Sequence, residues 1–147
     1  MMAISTRGRY ATRIMVLLAS RPGQNSMTKF QIAETEAVTP AYVQQLLMAL
    51  RLAGLVESHR GRDGGFSLAR PPEAITVAEV LRAVEGDVMP APCRSTGHCE
   101  RLATCPTRPL WQKAAALLDD LFGGTTIADL AADRPAGRAA GAPGSPA

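Results

Sequence analysis

Two helix starts stand almost back to back in this chain, and they narrow its possible folds more than any other feature. Thr28 followed by Gln31 is a capping box, in which the Thr hydroxyl and the Gln side chain satisfy each other's orphan backbone N–H groups. After a short break at Ala37-Val38, Thr39 caps the next helix and Pro40 takes its first position, where a missing N–H costs nothing. Tyr42, Val43, Leu46, Leu47 and Leu50 carry that helix to Gly54, a natural stop. Leu55 to His59 then reads as a strand, Arg60-Gly61-Arg62-Asp63-Gly64-Gly65 as a turn, and Phe66 to Ala69 as the returning strand. Upstream, Tyr10, Ile14, Leu17 and Leu18 recur at helical spacing and predict a helix from Arg7 to Ser20, capped by Ser5 or Thr6. Helix, helix, recognition helix and two-stranded wing is the order of a winged helix-turn-helix.

At 147 residues the chain is one domain, or one domain with an appendage. Hydrophobic residues make up 46% of it and aromatic residues only 4%, so the core must be aliphatic. A net charge of +3 permits a polyanionic partner without demanding one. The apolar run from Ile14 to Ala19 is too short for a signal peptide and nothing approaches a membrane span, which sets the expectation of a cytoplasmic protein with no membrane partner.

Beyond Pro71-Pro72, Thr76 with Glu79 forms another capping box and opens a helix to Glu85, closed by Gly86. Residues 87–106 lack periodicity and hold all three cysteines. A longer helix is expected from Arg108 to Phe122, with Leu110, Trp111, Ala114, Leu117, Leu118 and Leu121 on one apolar side, and a last short helix starts at Thr126. The stretch from Asp133 onward has too little hydrophobic bulk to fold. The expected class is therefore mainly α with a small β-wing. Residues 1–72 form the DNA-binding domain, 73–132 the cysteine loop and further helices, and 133–147 a disordered tail.

A recognition helix presents its first turns to base edges in the major groove, which places Thr39, Ala41, Tyr42, Gln44 and Gln45 near DNA. Gln pairs in bidentate fashion with adenine, and Thr or Tyr can hold a phosphate or touch a thymine methyl. Arg60, Gly61, Arg62, Gly64 and Gly65 at the wing tip suit close approach to a phosphate chain or to the minor groove, and Arg7 and Arg9 add cations from the first helix. A Gly-rich arginine turn is by itself most often a solvated hairpin tip. Its position behind a helix-turn-helix is what gives it meaning. The tip lacks the Lys-Ser/Thr of a phosphate-binding loop, and no residue set forms a catalytic constellation, so an enzyme is not expected.

Cys93, Cys99 and Cys105 are spaced C-x5-C-x5-C, unlike the paired C-x2-C of structural zinc sites. In a reducing compartment three crowded thiols point to metal or redox chemistry, with iron–sulfur clusters, zinc or Cu(I) as the groups thiolates favour. One protein ligand is missing from a set of four, which suits a labile sensor better than a structural site. A metal-free thiol switch and an iron–sulfur carrier are the alternatives.

The segments STRGRYATRIMVLLA and VTPAYVQQLLMALRLAGLVESHRGRDGGFSLARPPEAITVAEVLRAVEG, with C-x5-C-x5-CPTRPLW, resemble the Rrf-type family of winged-helix iron–sulfur transcription regulators, the IscR-, NsrR- and RirA-like proteins. The resemblance spans residues 1–132. It implies a homodimer on a double-stranded DNA operator, with Trp111, Leu117, Leu118 and Leu121 on the dimerisation helix and Cys93, Cys99 and Cys105 as cluster ligands. It further implies contacts to bases and phosphates from Tyr42, Gln44, Gln45, Arg60 and the wing glycines. Two departures matter. Members with a two-iron cluster carry a histidine three residues after the third cysteine, where this chain has Arg108, and an always-protonated guanidinium is a poor metal ligand. The fourth ligand is left unassigned, with His98 as a candidate, and a four-iron cluster is favoured over a two-iron one. Gln44 replaces a glutamate used to switch between two classes of site, so less switching is expected.

Overall fold

The computed structural model describes residues 4–21, 26–87, 90–91 and 99–133. Helix α1 (Thr6–Ala19) is capped by Ser5, whose hydroxyl accepts from the Gly8 amide, and buries Ala11, Ile14, Met15, Leu17 and Leu18. Helix α2 (Lys29–Glu36) opens with the expected Thr28–Gln31 box and ends at Ala37, in left-handed conformation. Phe30 stays 63% exposed beneath the Lys29 ammonium rather than joining the core. Helix α3 (Pro40–Leu52) has Thr39 as its cap and buries Val43, Leu46, Leu47 and Leu50, one residue set at 3.6-residue period.

Strands β1 (Val56–His59) and β2 (Gly65–Leu68) pair antiparallel, with Val56 opposite Leu68 and His59 opposite Gly65. The wing has a third partner that local sequence does not announce. Met27 exchanges both backbone hydrogen bonds with Phe66, at 2.9 and 2.8 Å. The Ser26 hydroxyl also donates to the Asp63 carbonyl at 2.5 Å, tying the hairpin tip to the residues before α2.

Helix α4 (Val77–Glu85) follows a short 3-10 turn at Pro72–Ala74 and starts from the Thr76–Glu79 box. Helix α5 (Arg108–Gly124) is longer than expected by one half-turn, and α6 (Ile127–Ala132) begins with a reciprocal box between Thr126 and Asp129. The chain that leaves α4 at Gly86 comes back to its starting point. Thr76 and Thr126 form a bridge, the Val77 amide donates to the Thr125 carbonyl, and the Ile127 amide donates to the Ile75 carbonyl, both at 2.9 Å. The cysteine segment and α5 are therefore an excursion pinned at both ends to one seam of the winged domain.

One aliphatic core joins α1, α2, α3, the wing, α4 and α6, centred on Ile14, Met15, Ile32, Leu46, Leu47, Leu50, Ile75, Val80 and Ile127. The buried Glu36 carboxylate is paired with Arg13, 2.6 Å from its Nε. Helix α5 stands largely outside this core, with only Ala115 buried. Its apolar residues do not form a single side. Ala114, Ala115, Leu118 and Phe122 turn inward, whereas Leu110, Trp111, Leu117 and Leu121 remain exposed. Leu118 thus parts from the other three residues expected on the dimer face, because apolar residues fill two adjacent rows of this helix and its own α4 covers one.

Candidate functional site

Thr39 fixes the start of α3 by accepting the Tyr42 amide at 3.2 Å, which satisfies one of the orphan N–H groups of its first turn. Thr39, Ala41 and Gln45 are exposed, and Tyr42 and Gln44 are half-buried. Tyr42 is committed in part to the protein. Its ring meets Tyr10 edge to face with centroids 6.0 Å apart, and Arg13 lies 5.2 Å above the Tyr10 ring. This stack couples the first turn of α3 to α1, the helix that carries the exposed Arg7 and Arg9.

At the wing, Arg60 and Arg62 are exposed on either side of Gly61, whose φ of 102° demands a residue without a side chain. Gly64 and Gly65 have reasons of their own. A Cβ on Gly64 would sit 2.8 Å from two backbone carbonyl oxygens, and one on Gly65 would sit 2.6 Å from the Met27 backbone. Both glycines serve the packing of the hairpin, whatever they also offer to a phosphate chain. Below the tip, Nε2 of His59 and Oγ of Ser67 are hydrogen-bonded at 2.7 Å, and the Glu57 carboxylate lies 3.5 Å from the same ring nitrogen. A polar hollow between the wing tip and the start of α2 is lined by Arg21, Ser26, Thr28, Gln31, Arg62 and Gly64. Arg21 is not among the DNA-facing residues expected from the sequence. No local signal marks it, since only the fold brings the end of α1 beside the wing.

Of the cysteine residues, Cys99 and Cys105 are described, and both are free thiols. Cys93 and His98 lie outside the described residues. Cys105 Sγ is 3.3 Å from the Thr107 hydroxyl. That hydrogen bond, then the backbone amides of Thr107 and Arg108 and the Arg108 charge, pull its thiol below the ordinary value, toward the thiolate that binds metal. Arg108, the first residue of α5, points one guanidinium nitrogen at the Leu102 carbonyl, 2.9 Å away, and its Nε is buried without an acceptor among the described residues. Thiolate donors and an orphan N–H fit a sulfur-rich metal group. Among the described residues alone, no three ligand-type side chains gather into a metal site.

The contact from this segment to the DNA-reading elements is short. Glu85, at the end of α4, accepts the Ser5 hydroxyl at 2.7 Å, and a side chain at Gly8 would collide with its carboxylate. Helix α4 packs in turn on α1 and α3. No helix among the described residues is long and apolar enough to cross a membrane.

Residues 4–133 match the family model for Rrf2, described as an iron-dependent transcriptional regulator. The transcriptional regulator CymR of Bacillus subtilis is 35% identical over 130 residues, covering 88% of this chain and 90% of the relative. The regulator IscR of Vibrio parahaemolyticus is 32% identical over 132 residues, covering 90% and 79%. Among solved structures, CymR, the global cysteine regulator of B. subtilis, superposes with a TM-score of 0.76 at 36% identity over 90% of this chain and 98% of that one. T. potens IscR gives 0.74 at 31% identity, over 89% and 87%. By its winged helix and by these likenesses along nearly its whole length, the chain belongs to the Rrf2 family of DNA-binding transcriptional regulators.

Proposed function

We propose that this regulator controls its grip on a double-stranded operator through an iron–sulfur cluster held by Cys93, Cys99 and Cys105. The observation that carries the reading is the placement of Cys99 and Cys105. They are unpaired thiols on an excursion that leaves and rejoins the winged domain at one seam. A family description as iron-dependent supports it. When bound, the cluster would supply a labile centre, lost on iron starvation or on reaction with oxygen or nitric oxide.

The protein's own part is mechanical. Ordering of the cysteine segment bears on α4, whose end is tied to the α1 cap through Glu85 and whose flank packs on α3. Two copies joined along the exposed row of α5 place two α3 helices in successive major grooves, so a small change of angle between them alters affinity. In each copy Thr39, Ala41, Gln44 and Gln45 face the bases, with the Tyr42 hydroxyl beside them. Arg60 and Arg62, with Arg7, Arg9 and Arg21, hold phosphates or the minor groove. Arg108 takes the place of an imidazole ligand, which favours a four-iron over a two-iron cluster.

A metal-free thiol switch is the second reading, favoured by the free thiols of Cys99 and Cys105 and by likeness to a cysteine regulator. Anaerobic purification separates the two. We expect a brown protein whose visible absorbance is lost in Cys105→Ser and whose salt-sensitive operator binding changes when the colour is bleached. Native mass measurement of that protein gives the iron count. A colourless protein with iron below stoichiometry, whose operator binding responds to thiol oxidants, overturns the cluster and leaves the thiol switch.

A further inference from the structure

Arg108 is the residue that a metal-ligand reading of this site leaves without a task, and its contacts give it one. Its Nη1 donates to the Leu102 carbonyl at 2.9 Å, from the first turn of α5 back onto the cysteine segment. That segment is already wound. The Leu102 amide donates to the Cys99 carbonyl and the Thr104 amide to the Arg101 carbonyl, each at 3.0 Å. The arginine therefore grips the middle of the turn whose two ends are Cys99 and Cys105. Its Nε, meanwhile, is buried and has no acceptor among the described residues. Nearly all buried guanidinium N–H groups in folded proteins are satisfied, and such an orphan marks a place where an acceptor belongs. Sulfur is the acceptor chemistry this site offers, since Cys105 Sγ lies 3.3 Å from the hydroxyl of Thr107, the residue immediately before Arg108 at the start of α5.

We infer that Arg108 is the positioning residue of the cysteine site, its Nη1 clasping the Cys99–Cys105 turn before any cluster binds and its Nε–H reserved for a cluster sulfur. The second half rests on the cluster reading above; the first does not. The clasp holds two ligands in place in the metal-free protein, which lowers the ordering cost of loading. The donated hydrogen bond and the positive charge stabilise the reduced, more negative cluster, so they raise its reduction potential.

The test uses the full chain with Arg108→Ala and Arg108→Lys. In metal-free protein, amide exchange at Leu102 and Thr104 should quicken about tenfold in both variants, because lysine lacks the fork that reaches the carbonyl from this position. In loaded protein, the oxidised-to-reduced ratio at a fixed potential should rise about tenfold in Arg108→Ala, a fall of about 59 mV for one electron. Arg108→Lys, which keeps the charge, should fall between. If the alanine variant does not fold, the lysine variant decides both arms. Unchanged exchange overturns the clasp, and an unchanged potential overturns the sulfur contact. A wild-type chain that takes up no iron overturns the cofactor reading instead, and the exchange arm then judges the clasp alone.

Discussion

Gly65 carries two demands at one position. Its φ is 152°, which side-chain-bearing residues rarely adopt, and a Cβ there would stand 2.6 Å from the Met27 carbonyl. The neighbour is backbone held in a two-bond bridge with Phe66, so it cannot swing aside as a flexible side chain would. We expect Gly65→Ala to cost about 1–3 kcal/mol, read as a lower midpoint in urea unfolding. Gly61→Ala, at φ 102° but with nothing within 4 Å, should cost less. Equal losses at the two positions would mean that the close approach to Met27 is unimportant. The run of glycines was plain in the sequence as a turn that invites a phosphate chain. That Gly65 answers to Met27 was not, because the pairing joins residues far apart in the chain.

Where elements begin, the sequence spoke clearly. Thr28 with Gln31 and Thr76 with Glu79 close their boxes as their spacing requires, since each involves only one helical turn. What each element touches afterwards was less legible. The two apolar rows of α5, the return of the chain to Thr76 at Thr126 and the place of Arg21 beside the wing all depend on packing between distant segments. The Glu79 cap shows how a local motif is drawn into such packing. Its carboxylate accepts from the Thr76 amide at 2.9 Å and from Arg70, just past β2, at 2.8 Å. The Arg70 hydrogen bond first, and the Thr76 amide second, hold the Glu79 pKa below its ordinary 4.5. An acid with a depressed folded-state pKa adds stability that is present above the unfolded pKa and is lost as pH falls through the folded one. Glu79→Gln keeps a neutral acceptor for the cap and removes the charge. We expect it to lower stability at neutral pH by a few tenths to about 1 kcal/mol, given that the pair is partly exposed. The gap to wild type should close as pH drops below 4.5. A gap that stays constant with pH, in urea unfolding across that range, would refute the role of the charge.

At the scale of the whole molecule, the unexplained feature is how much apolar surface α5 leaves bare. Leu110, Trp111, Leu117 and Leu121 are 59%, 39%, 62% and 60% exposed on a helix that buries only Ala115. A cluster of large apolar side chains on a helix standing outside the core is the mark of an interface rather than of a free surface. The occupant we propose is a second copy, because in a DNA reader of this kind one α3 and one wing would contact a single half-site and two-fold pairing would supply the other. Periodicity alone does not choose between the two rows, which differ by a single residue in register. The structure assigns the inner row, with Leu118, to α4. Replacing both Leu117 and Leu121 with Glu should therefore leave the unfolding midpoint of the winged domain nearly unchanged while converting the proposed dimer to a monomer in sedimentation velocity. Leu118→Glu should instead destabilise the packing of α5 on α4. Operator affinity of the double variant should fall by at least about a hundredfold, since the second half-site is no longer tethered to the first. Half-sites centred about one helical turn apart, roughly 34–36 Å, should show the loss most sharply. A double variant that stays dimeric, or a wild type that sediments as a monomer at micromolar concentration and still binds a two-half-site operator tightly, would place the interface elsewhere.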